Sequence, residues 1–272
     1  LWLDADYTNS IIKDGSNNVS KWMDLSGNGN DALESNSSRV PEYTAGQLNE
    51  KAVLTFNEDY LEFEDINDIR SVFFVLKKPS DSGPYRFYLG DDSSTVFHPG
   101  DGSLGYNERL GDASIYQNGL SVHRHNDDFT YDYEILSVIT DSNYDASQIG
   151  GDRGVNGSGG YPVQMWKGDI AEVLIFNSKV EESDRIIIHN YLSQKWGLES
   201  TVDSDGDGVV DASDFAPTDP NVQYDLTVDM TGKPSVLSDA SLKLWLDASH
   251  SNSVLKDGSN NVSHWLDLSG NG

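Results

Sequence analysis

Cysteine is absent from all 272 residues, which excludes disulfides, thiol catalysis and zinc–thiolate sites. Many secreted domains lean on disulfides, so this chain must be held by its core and its sheets, with metal as a further candidate. Basic residues are scarce, with 18 Lys and Arg against 45 Asp and Glu and a formal net charge of −27. That balance argues against nucleic acid, whose phosphates need a basic surface, and against anionic lipid. It suits salty surroundings, where screening shortens repulsion to a few Å, and a chain that meets divalent cations. No apolar run reaches membrane-spanning length and no secretory signal pattern is present. Leu1 lies in a strand-like segment, so the chain reads as an excerpt whose export signals lie elsewhere. Apolar residues make up only 36%, but Phe, Trp and Tyr reach 10%, an aromatic content that disordered chains lack.

Residues Leu1–Gly29 read LWLDADYTNSIIKDGSNNVSKWMDLSGNG, and Leu244–Gly272 read LWLDASHSNSVLKDGSNNVSHWLDLSGNG. Aligned at an offset of 243, 22 of the 29 positions are identical. The expected parent is a tandem-repeat protein with a unit of this length. The second copy holds strand and turn residues without the later strands that would cover them. If ordered, it is expected to be covered by another molecule, either the rest of a next repeat or a neighbouring chain.

Strand-like stretches recur with Asp-Gly, Asn-Gly and Gly-Gly turns between them. They are Leu1–Leu3, Ala52–Phe56, Tyr60–Glu64, Ser71–Lys77, Arg86–Leu89, Ser114–Gln117, Glu134–Thr140, Gln148–Ile149 and Ile170–Asn177. One helix is predicted over Glu181–Trp196, capped at or near Ser178 and ended by Gly197, with Ile187, Ile188, Tyr191, Leu192 and Trp196 as its apolar face. Short strands with one late helix predict an all-β sandwich. Trp2, Trp22, Trp166 and Trp196 are expected in the core or at sheet edges. Ser26–Asp31 is expected to be a tight turn held by side-chain-to-backbone hydrogen bonds.

The strongest chemical motif lies between the two copies. In Asp203-Ser-Asp205-Gly-Asp207-Gly208-Val209-Val-Asp211-Ala-Ser-Asp214, carboxylates occupy positions 1, 3, 5, 9 and 12 of a twelve-residue loop. Gly208 stands at position 6 and Val209 at position 7, where a sharp turn and a backbone carbonyl ligand are needed. This is the ligand arithmetic of an EF-hand-type calcium loop. Pro217 and Pro220 oppose a long exiting helix, and Asp219 is a candidate for a second or shared ion. Nine acidic residues and no Lys or Arg fall between Glu199 and Asp229. Without metal such a segment is expected to be floppy, and with calcium to fix the orientation of neighbouring modules.

Catalytic signals are weak. A glycosidase on a β-sandwich needs paired carboxylates on one strand face. The nearest match, Glu62-Phe-Glu64-Asp65, lacks a third acid at the required spacing. His-Glu-x-x-His, Gly-x-Ser-x-Gly and phosphate-loop patterns are missing. The chain is therefore expected not to be an enzyme. For a binding module, the candidate ligand rim comprises Asp91, Asp92, His123, His125, Asp152 and Tyr161, on Gly-rich connections.

Two segments resemble known families. Gly168–Leu198 (GDIAEVLIFNSKVEESDRIIIHNYLSQKWGL), with Leu1–Ala32 and Ala52–Asp65, resembles bacterial laminin-G-like domains of the concanavalin A-like superfamily. Asp203–Asp225 resembles the thrombospondin type 3 repeats of bacterial surface proteins. The resemblance implies a two-sheet antiparallel jelly roll over 1–198 with one C-terminal helix. A calcium-binding linker over 199–225, a connector over 226–243 and the start of another such domain over 244–272 follow. It implies an extracellular, cell-surface module of an adhesin, carbohydrate-binding or spacer, with calcium as its cofactor. Neighbouring repeats, copies of the same protein or polysaccharide would be its partners. The alternative is a structural subunit of a filament or stalk.

Overall fold

The computed structural model describes residues 1–80, 86–91, 111, 113–122, 128–151, 165–222, 246, 248–249 and 252–268. Along the chain come β1 (Trp2–Asp4), β2 (Ile11–Lys13), β3 (Val19–Trp22), β4 (Ala32–Leu33), β5 (Glu42–Leu48) and β6 (Lys51–Asn57). Next are β7 (Leu61–Lys77), β8 (Leu89–Gly90), β9 (Ser114–Gln117), β10 (Leu120–Val122), β11 (Glu134–Ile149) and β12 (Lys167–Phe176). Helix α1 (Glu182–Trp196) follows, and β13 (Val254–Lys256) and β14 (Val262–Trp265) form a separate hairpin.

The described residues are mostly β, with one large antiparallel sheet whose main path is β10-β9-β11-β7-β12-β6-β5. Side chains alternate across a strand, and here both faces are buried. Val72, Phe74 and Leu76 join Trp22, Tyr88 and Trp166 in one cluster. Their neighbours Phe73 and Val75 join Leu192 and Trp196 beneath α1 in another. Two predicted strand pairs fuse: Tyr60–Glu64 with Ser71–Lys77 into the 17-residue β7, and Glu134–Thr140 with Gln148–Ile149 into the 16-residue β11. Register shifts between Ile139 and Gln148 let the β7–β11 pair continue through what the sequence presents as breaks.

Trp22, Trp166 and Trp196 are fully buried and Trp2 is partly buried. The turn after β3 is organised by Asp24, which accepts from the backbone N–H groups of Trp2 (2.9 Å), Ser26 (2.9 Å) and Asn30 (3.1 Å). Asp31 accepts from the Asp24 N–H and pairs with Lys21 at 2.6 Å, so both acids fold the turn.

The helix starts and ends where its composition predicts, but its buried face is rotated. Arg185, Ile186, His189, Leu192, Ser193 and Trp196 are buried, whereas Ile187 and Tyr191 are exposed. Polar partners on the sheet select that face: His189 Nε2 meets Ser137 Oγ at 2.9 Å. Burial and the nearby Arg185 push the His189 pKa down to about 3, so the imidazole is neutral. Ser178 is not the cap. Glu181 holds the N-cap position without a side-chain bond, and Ser71 Oγ ties down the approach by donating to the Ser178 carbonyl (3.1 Å) and accepting from Val180 N–H (2.9 Å). At the other end Gly197 is left-handed at φ 67°. Asn49 Nδ2 donates to the orphan carbonyls of Trp196 (2.6 Å) and Gly197 (2.9 Å).

Candidate metal centre

A chain segment crowded with aspartates folds only if something answers its charge, and backbone N–H groups do so first. Asp203 accepts from Gly206 N–H (2.8 Å) and Gly208 N–H (2.9 Å). Asp205 accepts from Asp207 N–H (3.2 Å) and Asp207 from Val209 N–H (2.8 Å). Gly206 and Gly208 sit at φ 79° and 98°, left-handed values that glycine adopts without a Cβ penalty. The loop so wound brings carboxylate oxygens of Asp203, Asp205 and Asp207 within 4.8 Å of one another. Oδ2 of Asp205 and Oδ2 of Asp214 are buried and receive no hydrogen bond from the described residues.

The electrostatics follow from that crowding. Burial first, then the charges of Asp207, Asp214 and Asp203, push Asp205 up to about 6. Burial, with Asp214 and Asp203, raises Asp207, and burial, with Asp211 and Asp203, raises Asp214. Four carboxylates at positions 1, 3, 5 and 12 thus share one field. Asp211 plays a different part: its two oxygens accept from Ser204 N–H and Ser204 Oγ, both at 2.8 Å, closing the loop on itself. Asp219 stands apart, fully exposed, its pKa lowered by bonds from Asn221. A hard dication with oxygen ligands is what such a donor set suits. Asp203, Asp205, Asp207 and Asp214 would hold it, with Val209 following at the turn.

The start of the loop is docked on the body of the molecule. Asn118 (φ 51°) and Gly119 (φ 89°) make the two-residue turn between β9 and β10, a left-handed pair that Asn-Gly favours. Asp203 N–H donates to the Asn118 carbonyl at 3.0 Å. The buried Arg185 guanidinium, 4.2 Å from the Tyr116 ring centroid, donates to the carbonyls of Gly119 (3.1 Å) and Ser204 (3.3 Å). Val202 is fully buried in the cluster beneath α1. The first half of the loop is therefore fastened to the β9–β10 turn and α1 by main-chain bonds and a buried cation.

Asp91 lies elsewhere, in an acidic groove of about 700 Å³ lined also by Asp31, Glu62, Glu64, Asp65 and Gln148. Glu62 and Glu64 do share a strand face there. Ser147 Oγ donates to Asp91 at 3.3 Å and Gln148 Nε2 to Glu62 at 3.4 Å. The other residues of the expected ligand rim, Asp92, His123, His125, Asp152 and Tyr161, fall outside the described residues.

No family model, curated protein or solved structure matches this chain. The chemistry has to be read from its own residues.

Two raised carboxylates give the pH dependence. Glu134 is buried; burial pushes it up to about 7 against the bonds from Thr130 and Gln117. Both Glu134 and Asp205 are raised above their unfolded values, so each contributes stability that is complete below the unfolded pKa and is lost as pH rises through the folded one. Without divalent cations, stability is expected to fall between about pH 4 and about pH 7, by on the order of 3 kcal/mol for the buried Glu134 and by less for the more accessible Asp205. Calcium should erase the Asp205 share and leave that of Glu134, which Glu134→Gln should remove. Urea unfolding at about pH 5 and about pH 8, with chelator or with calcium, checks both parts.

Proposed function

We propose that this chain is a non-catalytic, extracellular repeat module of a cell-surface protein, stiffened by calcium bound in the 203–214 loop. The observation that carries the reading is the convergence of Asp203, Asp205 and Asp207 within 4.8 Å on a loop fastened to the sandwich by Arg185 and the Asn118-Gly119 turn. The calcium spacing of the motif, the net charge of −27 and the repeated 29-residue segment support it. The mostly-β architecture with one late helix is compatible with the jelly roll that the laminin-G-like resemblance implies. On this reading the ion does not fold a loose linker. It neutralises a carboxylate cluster already held against the module, and so fixes the direction in which the chain leaves it.

Thermal denaturation in chelator and in millimolar calcium tests the reading. An ion present at about 100 times its dissociation constant adds about 2.7 kcal/mol, which for a domain of this size is a rise of roughly 5–10 °C. Asp205→Asn should abolish most of that rise and, by removing a raised carboxylate, leave the chelated melt equal or higher. Equal melts with and without calcium would count against it. The acidic groove around Asp91 supports the carbohydrate-binding form of the proposal, and a glycan array probed with and without calcium separates it from a pure spacer.

A further inference from the structure

Buried polar groups find partners as a rule, and three side chains around Phe129 break it. Lys78 is 4% exposed, yet among the described residues its ammonium meets no carboxylate or other hydrogen-bond acceptor. It faces two rings instead, 5.7 Å from the Phe129 centroid and 5.5 Å from that of Tyr131. Glu134 Oε1 and Trp166 Nε1 are buried and have no hydrogen-bond partner among the described residues.

The strand ladder brings the three together. Leu76 on β7 lies opposite Glu134 on β11 and opposite Ile170 on β12. Side chains alternate along a strand, so Lys78, two residues beyond Leu76, follows it onto the face that carries Trp22, Tyr88 and Trp166. There it is the diagonal neighbour of Glu134. Trp166, four residues before Ile170, packs on the same face with its ring 6.0 Å from Phe129. Phe129 is thus the shared neighbour of the ammonium and the indole. Between Trp166 and Ile170 stands Gly168, at φ 143°, where a Cβ would lie 2.2 Å from the Lys77 carbonyl oxygen. That close approach draws the end of β12 against the chain at Lys78.

The chemistry on offer is one-sided. Lys78 brings three N–H donors and Trp166 one. Glu134 Oε2 already accepts from Thr130 N–H (3.0 Å), Thr130 Oγ1 (2.8 Å) and Gln117 Nε2 (2.7 Å). Burial pushes Glu134 up to about 7, with Asp132 adding to the rise. Below neutrality its proton therefore sits on Oε1, a further donor. Burial, then the charge of Arg86, pull the Lys78 ammonium below the usual lysine value, against Asp128 and Glu134. Arg86 is itself held by Glu58 at 3.2 Å and by the Met165 carbonyl at 3.0 Å, and Asp132 pairs with Lys77 at 3.5 Å. With Glu134 protonated, the buried Lys78 charge lacks a counter-charge, which is costly. A water molecule would leave that charge uncompensated and must donate its own hydrogens among donors. An anion supplies both acceptors and charge. Glu134 and Trp166 are 0% exposed, so the ion that fits between them is small.

We propose that Lys78, Trp166 and Glu134 form a binding site for a small inorganic anion, a halide, taken up together with a proton on Glu134. The site does not involve the acidic loop, and its failure would leave the calcium reading standing.

Thermal denaturation of the full chain tests it, in sodium chloride against sodium gluconate at equal ionic strength, with calcium supplied as gluconate throughout. At about pH 6 chloride should raise the melting temperature by at least about 3 °C, and bromide should do the same. At about pH 8.5 the rise should vanish, because ionised Glu134 balances Lys78 and repels the anion. Glu134→Gln keeps a donor in place, so its chloride rise should persist at both pH values. Lys78→Met should show no rise at either, with a gluconate melt equal to or above that of the parent chain. Crystals soaked in bromide should place an anomalous peak beside Lys78 Nζ and Trp166 Nε1; this uses the unaltered chain and decides the matter even if Lys78→Met does not fold. Equal melts in chloride and gluconate at about pH 6, a chloride rise that survives Lys78→Met or about pH 8.5 in the parent chain, or an ordered water only in the bromide-soaked crystal would overturn the proposal.

Discussion

Gly119→Ala is expected to detach the acidic loop from the sheet. A Cβ at this position would lie 1.7 Å from the Asp203 carbonyl oxygen and 2.5 Å from its carbon, at a backbone φ of 89°. The obstruction is main chain, so no rotamer change relieves it. Either the Asn118-Gly119 turn or the start of the loop must move, breaking the Asp203 N–H bond to Asn118 and the shared grip of Arg185 on Gly119 and Ser204. The left-handed backbone alone costs about 1 kcal/mol with a Cβ. Loss of the docking bonds and of Val202 burial should bring the total to roughly 3–5 kcal/mol, or a melting temperature lower by on the order of 10 °C. Gly27→Ala is the control, since Gly27 has φ 85° and nothing within 4 Å of an added Cβ. It should show the conformational cost only. Calcium affinity should weaken at least tenfold in Gly119→Ala and remain unchanged in Gly27→Ala. Equal melting temperatures for the two variants would mean that the loop is not fastened as described.

A second large loss is expected on the far side of the helix. Glu172 is fully buried, and its carboxylate accepts from Trp2 Nε1 (2.8 Å), Trp196 Nε1 (2.6 Å), Lys195 Nζ (2.7 Å) and Tyr191 Oη (3.2 Å). One side chain thereby joins β1, β12 and α1. Lys195 also reaches Asp4 at 2.7 Å. Burial pulls its pKa down, but Glu172 and Asp4 outweigh that and hold it above the usual lysine value. Glu172→Ala leaves Lys195 with Asp4 and takes the acceptor from the indole N–H groups of Trp2 and Trp196, and about 2–4 kcal/mol of stability should go with it. Glu172→Gln, which keeps one acceptor and the shape, should lose about half as much. Chemical denaturation of both variants, compared with Lys195→Met, reads the ordering. If Glu172→Ala is no worse than a surface substitution, this hub does not hold the helix to the sheet.

The contrast between these two positions and the acidic loop shows what a linear reading can reach. The Asp203–Asp214 motif is legible because its ligands are spaced within twelve residues and its local turns are set by Gly206 and Gly208. Its docking is not legible: Arg185 and Gly119 are 66 residues apart, and nothing local marks their contact. Periodicity located α1 and rightly placed Leu192 and Trp196 on its buried face, with Ile188 packed beside them, but it also placed Ile187 and Tyr191 there because it counts apolar side chains. The sheet instead buries Arg185, His189 and Ser193, and Ser137, 52 residues before His189, provides one of the partners. A usable signal was present in Ile170–Phe176, where Glu172 interrupts an otherwise apolar strand. A lone acid in such a run needs a buried partner, and Lys195 is that partner. The fusion of predicted strands into β7 and β11 was hidden for another reason. Polar stretches such as Glu64–Asp68 and Asp141–Asp145 look like loops by composition, while the ladder between the two strands carries them through its register shifts.

Calorimetric titration of calcium into the metal-stripped chain at about pH 7 tests the central claim most directly. The account predicts saturable binding at the 203–214 loop, with an affinity in the range of calcium sensors and extracellular modules, about 10⁻⁷ to 10⁻³ M. The signal should be lost in Asp207→Ala and kept in Asp219→Ala, since Asp219 lies apart from the clustered carboxylates. No binding heat up to millimolar calcium, or binding unchanged by Asp207→Ala, would contradict it.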